Sequence, residues 1–120
     1  MSLEKVRAYL KKWNMEDRIQ EFDVSSATVE LAAKALNCEP ERIAKSIALK
    51  AGDEGAILVV AAGDAKIDNS KFKARFGIKA KMLSPDEAVT LVGHAVGGVC
   101  PFAVNEGVKT YLDISLKRFR

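Results

Sequence analysis

The chain has 120 residues, of which 48% are hydrophobic and 29% charged, and its formal net charge is +3. This composition excludes a disordered chain, and the length predicts one domain that buries about two-thirds of its surface. The two cysteines and a start without signal-peptide features argue against a secreted disulfide scaffold. The longest apolar run, 56–63, is too short to span a membrane. We therefore expect one soluble, cytoplasmic domain over residues 1–120.

The N-terminal part of the chain predicts helices. Apolar residues recur at three- and four-residue steps, as in an amphipathic helix, at Leu3, Val6, Leu10 and Trp13, and we expect Trp13 in the core. A short extended segment with Phe22 and Val24 follows. Ser26 can cap a second helix over 27–36, and Pro40 can begin a helical turn through residue 43, because a first helical position needs no N–H.

Between residues 45 and 62 the hydrophobic period changes to that of strands. In 45–51, Ile47 and Leu49 alternate with polar residues, which predicts a strand with one buried face. A turn signal at 53–55 precedes 56–62, a continuous apolar run typical of a central strand.

The next segment predicts two capped helices separated by a short strand. Asp68 can cap a helix that ends at Gly77, and residues 79–83 have a strand-like pattern. Ser84 and Pro85, with Glu87 three residues after the serine, form a capping-box signal for a helix that ends at Gly93.

The C-terminal part predicts a turn at 105–107 and a strand at 108–114. The turn favours an antiparallel hairpin. The order of elements predicts a mixed α/β (α+β) fold, a single compact domain with a central mixed β-sheet and flanking helices.

The segment 93–102 is the most unusual in the chain. Adjacent glycines, Gly97 and Gly98, are costly to order before the β-like run 99–102, so they require a geometric reason. Either a ligand lies against bare backbone, where N–H groups can bind a carbonyl oxygen, or the chain bends tightly into a strand. The glycine spacing is not that of a phosphate-binding loop.

Lys45 is the second candidate. By strand alternation it shares a face with Ile47 and Leu49, so its ammonium can reach a pocket rim and bind a phosphate or a carbonyl. The alternative is a lysine at a strand end whose head simply reaches solvent.

Cysteine chemistry has weaker support. Cys100 and His94 permit a nucleophile and base, but closeness in sequence does not place them within hydrogen-bond reach, and no third orienting group is evident. Cys38 and Cys100 with one histidine lack zinc-ligand spacing, so the sequence does not predict a zinc site.

Basic residues concentrate in one region. Residues 41–80 carry eight basic and five acidic groups, and most of the excess lies in 66–81. Such a patch either binds a phosphate backbone or forms a solvated face. This region includes Lys66, Lys71, Lys73 and Arg75.

Three segments together resemble the YbaK/ProX family, free-standing relatives of the editing domain inserted in bacterial prolyl-tRNA synthetases. They are the helix sequence at 28–36, the turn and strand at 41–47 that contain Lys45, and Gly93 with the Gly97-Gly98-Val99-Cys100-Pro101-Phe102 run. The likeness extends from about residue 20 to the end, and the chain looks short at its C-terminus beside the family.

The resemblance implies a deacylase that hydrolyses the ester of mischarged aminoacyl-tRNA, without metal or cofactor, with a prolyl-tRNA synthetase as a possible partner. By position, Lys45 would hold the terminal nucleotide or the aminoacyl carbonyl, and Gly97 and Gly98 would supply backbone N–H groups. The substrate-binding residues would be Phe22, Thr28, Gly93, His94, Val99, Cys100, Pro101 and Phe102. With tRNA as substrate, the basic residues Lys66, Lys71, Lys73 and Arg75 are expected to contact the tRNA. Two alternatives stay open, a non-catalytic RNA-binding module and a Cys100-dependent hydrolase.

Overall fold

The computed structural model describes residues 3–22, 28–51, 55–95 and 99–118. Its centre is a three-stranded sheet in the order β1 (Ala44–Lys50), β2 (Ala56–Ala62) and β3 (Lys109–Leu112). β1 pairs with β2 antiparallel, whereas β2 pairs with β3 parallel. The predicted mixed sheet with a central 56–62 strand is therefore confirmed.

The predicted antiparallel hairpin at 105–107 is wrong. The described residues that lead into this turn, 99–104, form no strand, so the turn has no strand on its N-terminal side to pair with β3. β3 instead reaches the sheet after a long crossover and lies parallel to β2, where Leu58 is opposite Thr110. It is also shorter than the predicted 108–114 strand.

Alternation along the strands divides the core between the two faces of the sheet. Leu49 and Ile57 face one side and pack with Phe72 of the helix α3 (Asn69–Phe76). Ala48 and Leu58 face the other side and pack with Val92 and with Val99 of the glycine-containing segment. Because each side is covered by a different part of the chain, the two candidate regions can be assigned to faces.

The N-terminal helices are shorter than expected. α1 spans Leu3–Lys11, and Trp13 beyond its end is 65% exposed, so the prediction that Trp13 is in the core is wrong. α2 spans Val29–Leu36, and Thr28 caps it through its hydroxyl, which accepts the N–H of Leu31 at 3.1 Å. Because Thr28 fills this position, Ser26 is not the N-cap; Ser26 and Val24 lie outside the described residues. Pro40–Arg42 forms the predicted turn.

The helices of the second half begin and end where their capping signals predict. Asp68 caps α3, and Gly77 ends it with a left-handed φ of 78°. Ser84 and Glu87 form the predicted capping box of α4 (Pro85–Glu87), which continues as a π-helix over Ala88–Val92. None of the described helices has the length and hydropathy to cross a membrane.

The predicted strand at 79–83 is reduced to one bridge between Met82 and Leu49. The N–H of Lys50 donates to the carbonyl of Lys81, and the N–H of Leu83 donates to that of Ala48. The segment thus lies along the outer edge of β1 and uses some of its backbone groups, but it has too few paired residues to form a strand.

Candidate functional site

Lys45, the second residue of β1, has its ammonium group fixed at the end of β2. Its Cα pairs with Ala61, and its Nζ donates a hydrogen bond to the carbonyl of Gly63 at 3.2 Å in a half-buried position. An ammonium group has three N–H donors, so this bond leaves two for another acceptor. Among the described carboxylates, none forms a salt bridge with Lys45. The Lys45 ammonium is therefore anchored in a half-buried position at the end of β2, and its predicted role in binding a phosphate or a carbonyl stays a prediction.

Gly63 is an element of this site that the sequence interpretation missed. A Cβ at this position would lie 2.0 Å from the carbonyl oxygen of Pro40, 2.8 Å from Val29 Cγ1 and 2.9 Å from the carbonyl oxygen of Ile43. These contacts leave no room for a side chain, so α2 and the 40–42 turn pack directly on the backbone that accepts the Lys45 bond. A glycine directly after an apolar strand was the signal available in the sequence.

An ion pair lies beside the Lys45 anchor. Asp64 and Arg118 form a two-pronged salt bridge, and the hydroxyl of Ser115 accepts the N–H of Ala62 at 3.1 Å. The hydrogen bonds from Arg118 hold the pKa of Asp64 below its ordinary value, and the Lys45 charge adds a small effect in the same direction. Asp64 is thus kept ionised with Arg118 as its direct partner, while Lys45 keeps donors that no carboxylate takes up.

His94 and Cys100 are closer together than the sequence alone allowed us to infer. His94 is 1% exposed, and its Nε2 lies 2.7 Å from the carbonyl oxygen of Phe102 and 3.7 Å from the sulfur of Cys100. The thiol of Cys100 donates to the same Phe102 carbonyl at 3.6 Å. The two side chains therefore converge on one backbone acceptor.

The hydrogen-bond pattern of this pair opposes a nucleophile and base. A carbonyl can only accept, so Nε2 of His94 carries the proton and has no lone pair for the proton of Cys100. Nδ1 of His94 is buried and has no partner among the described residues. Burial raises the pKa of the Cys100 thiol above its ordinary value, which disfavours the reactive thiolate. The geometry indicates a structural role, in which hydrogen bonds from both side chains hold the carbonyl of residue 102 in place.

The described residues at the two ends of the 93–102 segment have further contacts. Gly93 has a left-handed φ of 99°, and Asn105 closes the loop behind it through its N–H on the carbonyl of Val92 and its side-chain amide on that of Thr90. The ring of the half-exposed Phe102 lies 6.1 Å from that of Tyr9 in α1. Gly97 and Gly98 lie outside the described residues, so their predicted role stays a prediction.

Lys45 and Val99, the residue after the two glycines, belong to opposite faces of the sheet. Lys45 alternates with Ile47 and Leu49, which face α3, whereas Val99 packs on the side of Ala48 and Leu58. In the described part of the chain, Lys45 bonds only to Gly63. The joint role predicted for Lys45, Gly97 and Gly98 stays a prediction.

The other predicted substrate-binding residues have varied surroundings. Thr28 is a helix cap, as described above, and Phe22 is 38% exposed. Pro101 is half-buried, next to Cys100. The described residues include no group of three His, Cys, Asp or Glu side chains that could hold a metal ion.

The structure divides the predicted tRNA-contacting residues into two groups. Lys66, Lys71 and Arg75 line a groove between α3 and the sheet. Lys73 lies on another side of α3, beside a depression that it shares with Lys79. The cluster in the sequence is therefore not one patch in space.

Comparison with known proteins places this geometry in context. The profile of a family described as the aminoacyl-tRNA editing domain matches residues 23–120. An uncharacterized Bacillus subtilis protein, YwhH, is 51% identical over 120 residues, which are 100% of this chain and 76% of YwhH. The proline–tRNA ligase of Kosmotoga olearia is 32% identical over 94 residues, which are 78% of this chain and 16% of the ligase.

A solved structure shows that the similarity to editing proteins extends to the fold. A protein described as a candidate trans-editing enzyme for prolyl tRNA synthetase superposes with a TM-score of 0.85 at 29% sequence identity. The superposition covers 98% of this chain and 75% of that protein.

Proposed function

Because the chain belongs to the aminoacyl-tRNA editing domain family, we propose that it hydrolyses the ester bond of mischarged aminoacyl-tRNA as a trans-editing deacylase. The observation that carries the proposal is the half-buried Lys45 ammonium, which is anchored on the Gly63 carbonyl at 3.2 Å and retains two donors. The match to the editing-domain profile over 23–120 and the similarity to proline–tRNA ligases support the substrate class.

The proposed chemistry is a water attack on an ester that is already activated. Water adds to the aminoacyl carbonyl carbon and gives up a proton to the solvent, while the negative charge moves to the carbonyl oxygen. When the carbonyl forms again, the bond to the ribose oxygen breaks and that oxygen takes a proton from the solvent. Lys45 donates to the carbonyl oxygen or to the neighbouring phosphate, and the N–H groups of Gly97 and Gly98 stabilise the oxyanion. Each such donor contributes about 3 kcal/mol in well-studied hydrolases, so positioning and charge stabilisation are sufficient for this reaction.

The terminal ribose of the tRNA completes the proposed mechanism. A neighbouring ribose hydroxyl can hold the attacking water, so no protein nucleophile is needed. The raised pKa of Cys100 and the proton on His94 Nε2 favour this water mechanism over a Cys100-dependent hydrolase. We assign Cys100 to the wall of the site.

The substrate we propose is tRNA for proline that carries a small wrong amino acid. The test is a deacylation panel in which this tRNA carries alanine, cysteine, serine or proline. We expect hydrolysis of one or more of the first three and protection of prolyl-tRNA. A pocket that selects by size separates such side chains by only about 1–3 kcal/mol per methylene, so the panel must compare rates and not endpoints.

The panel also separates the proposal from the non-catalytic alternative. If every aminoacyl ester keeps its spontaneous hydrolysis rate while the tRNA binds, the chain is an RNA-binding module and the deacylase assignment is wrong. The whole chain over residues 1–120 is the material for this experiment.

A further inference from the structure

A groove between α3 and the sheet has no part in the proposed chemistry. It has a volume of about 620 Å³, with Ile47 and Val59 of the strands on its floor and Phe72 and Phe76 of α3 on its wall. Sites for small organic ligands commonly have volumes of about 300–1,000 Å³ and are mainly apolar. The groove is thus large enough for one aromatic ligand of nucleotide size.

The charged side chains of the groove favour an anion. Lys66, Lys71 and Arg75 line it together with two carboxylates, Asp68 and Asp113. Both carboxylates have hydrogen bonds from the backbone: Asp68 accepts the N–H of Lys71 at 3.0 Å, and Asp113 accepts that of Ser115 at 2.9 Å. The three cations exceed the two engaged carboxylates, so a phosphate is a suitable ligand at the mouth.

Arg75, one of these three cations, also provides a flat surface for stacking. Its guanidinium carbon lies 5.1 Å from the centre of the Phe76 ring and 5.5 Å from that of Tyr111. The two rings meet edge to face with centres 5.0 Å apart, and the guanidinium lies against both of them. Nucleic-acid bases stack on guanidinium planes and aromatic rings when they are splayed out of a helix.

We propose that this groove binds one unpaired nucleotide of an RNA, with the base stacked on the Arg75–Tyr111 surface and the phosphate held by Lys66 and Lys71. The inference rests on the proposed function in that the RNA is the single-stranded end or a loop of the tRNA substrate. In this proposal the groove recognises the RNA and takes no part in the hydrolysis. Lys73 makes no RNA contact, because it lines a separate depression. A double helix does not fit this site, since its bases are not free to stack on the protein.

The test measures binding of a labelled 12-nucleotide single-stranded RNA and of a blunt duplex that contains the same strand, by fluorescence anisotropy at several salt concentrations. Arg75→Lys keeps the charge but removes the planar surface, and we expect it to weaken single-strand binding roughly tenfold without changing duplex binding. Lys71→Ala should weaken binding and reduce the salt slope by about one ion. Lys73→Ala is the matched control on the same helix and should bind as the unmodified chain does.

Three results would overturn the inference: unchanged single-strand binding by Arg75→Lys, equal losses for Lys71→Ala and Lys73→Ala, or no preference of the unmodified chain for the single strand. Thermal unfolding of each variant checks that the fold is intact. Deacylation without Arg75-dependent binding rejects the groove and leaves the proposed function standing. Arg75-dependent binding without deacylation supports the groove as an RNA site and rejects the proposed deacylase function.

Discussion

At the residue scale, the carbonyl of Phe102 is the point on which His94 and Cys100 converge. Both side chains donate to it, and His94 is almost completely buried, so the histidine fixes the end of the segment that contains Gly97 and Gly98. Because Nε2 donates to this carbonyl, it cannot accept the proton of Cys100, and its hydrogen bond instead positions the backbone of residue 102. The sequence places these residues six apart but cannot show that both side chains reach one carbonyl.

The structural role of the hydrogen bond from His94 to the Phe102 carbonyl can be tested by measuring the free energy of unfolding. In His94→Gln the amide N–H can still reach the Phe102 carbonyl, whereas His94→Ala leaves a cavity and removes the shorter of the two hydrogen bonds to that carbonyl. We expect His94→Ala to lower the free energy of unfolding by about 2–4 kcal/mol and the glutamine variant to recover at least half of that loss. Urea unfolding at pH 7 measures both. Equal losses would show that the hydrogen bond to Phe102 contributes nothing.

At the scale of elements, the end of β2 joins three parts of the chain. Gly63 contacts α2 and the 40–42 turn through its bare backbone, and it presents the carbonyl that anchors Lys45. Local signals predicted α3 and α4 well, because Asp68, Ser84 and Gly77 act on adjacent residues. They could not predict how α2 lies on Gly63, because that contact joins residues far apart in sequence.

The packing at Gly63 can be tested with a matched glycine. In Gly63→Ala the new Cβ would lie 2.0 Å from a backbone oxygen, so the strand end or the turn has to move. In Gly77→Ala the Cβ meets nothing within 4 Å, and only the left-handed φ of 78° opposes it. We expect losses in unfolding free energy of about 3 kcal/mol for Gly63→Ala and about 1 kcal/mol for Gly77→Ala.

The control in this comparison is built into the pair, since both variants add one methyl group to a glycine. Denaturant unfolding gives the two values under the same conditions. If Gly77→Ala were as harmful as Gly63→Ala, backbone conformation rather than close packing would explain both losses. A deacylation assay on Gly63→Ala should also show a loss, because the acceptor of Lys45 is displaced.

The sheet shows which parts of a fold can be predicted from sequence. β2 was predicted with its observed bounds, because a continuous apolar run has few alternatives to a central strand. The direction of β3 was not, since it depends on a crossover whose course no local turn signal records. Likewise the sequence identified Lys45 as a candidate, but the anchor on Gly63 and the groove beside α3 appear only when distant segments pack.

At the scale of the whole molecule, the chain divides its work between regions. The start of β1 and the end of β2 carry the Lys45 anchor, Val99 packs on the opposite face, and the groove beside α3 is the RNA contact that we propose. Such a division suits a substrate that is much larger than its reacting group. The ester must reach the strand ends while the RNA extends over the surface.

The most direct test of this account is the single-turnover rate of deacylation of alanyl-tRNA for proline by Lys45→Ala, compared with Lys50→Ala. Lys50 is a matched control, because it is a partly buried lysine of the same strand whose ammonium instead pairs with Glu87 at 3.2 Å. We expect Lys45→Ala to lower the rate about 100-fold, the effect of losing one oxyanion-type donor, and Lys50→Ala to stay within about twofold of the unmodified chain. Equal rates for the two variants, both folded, would contradict the central role of Lys45.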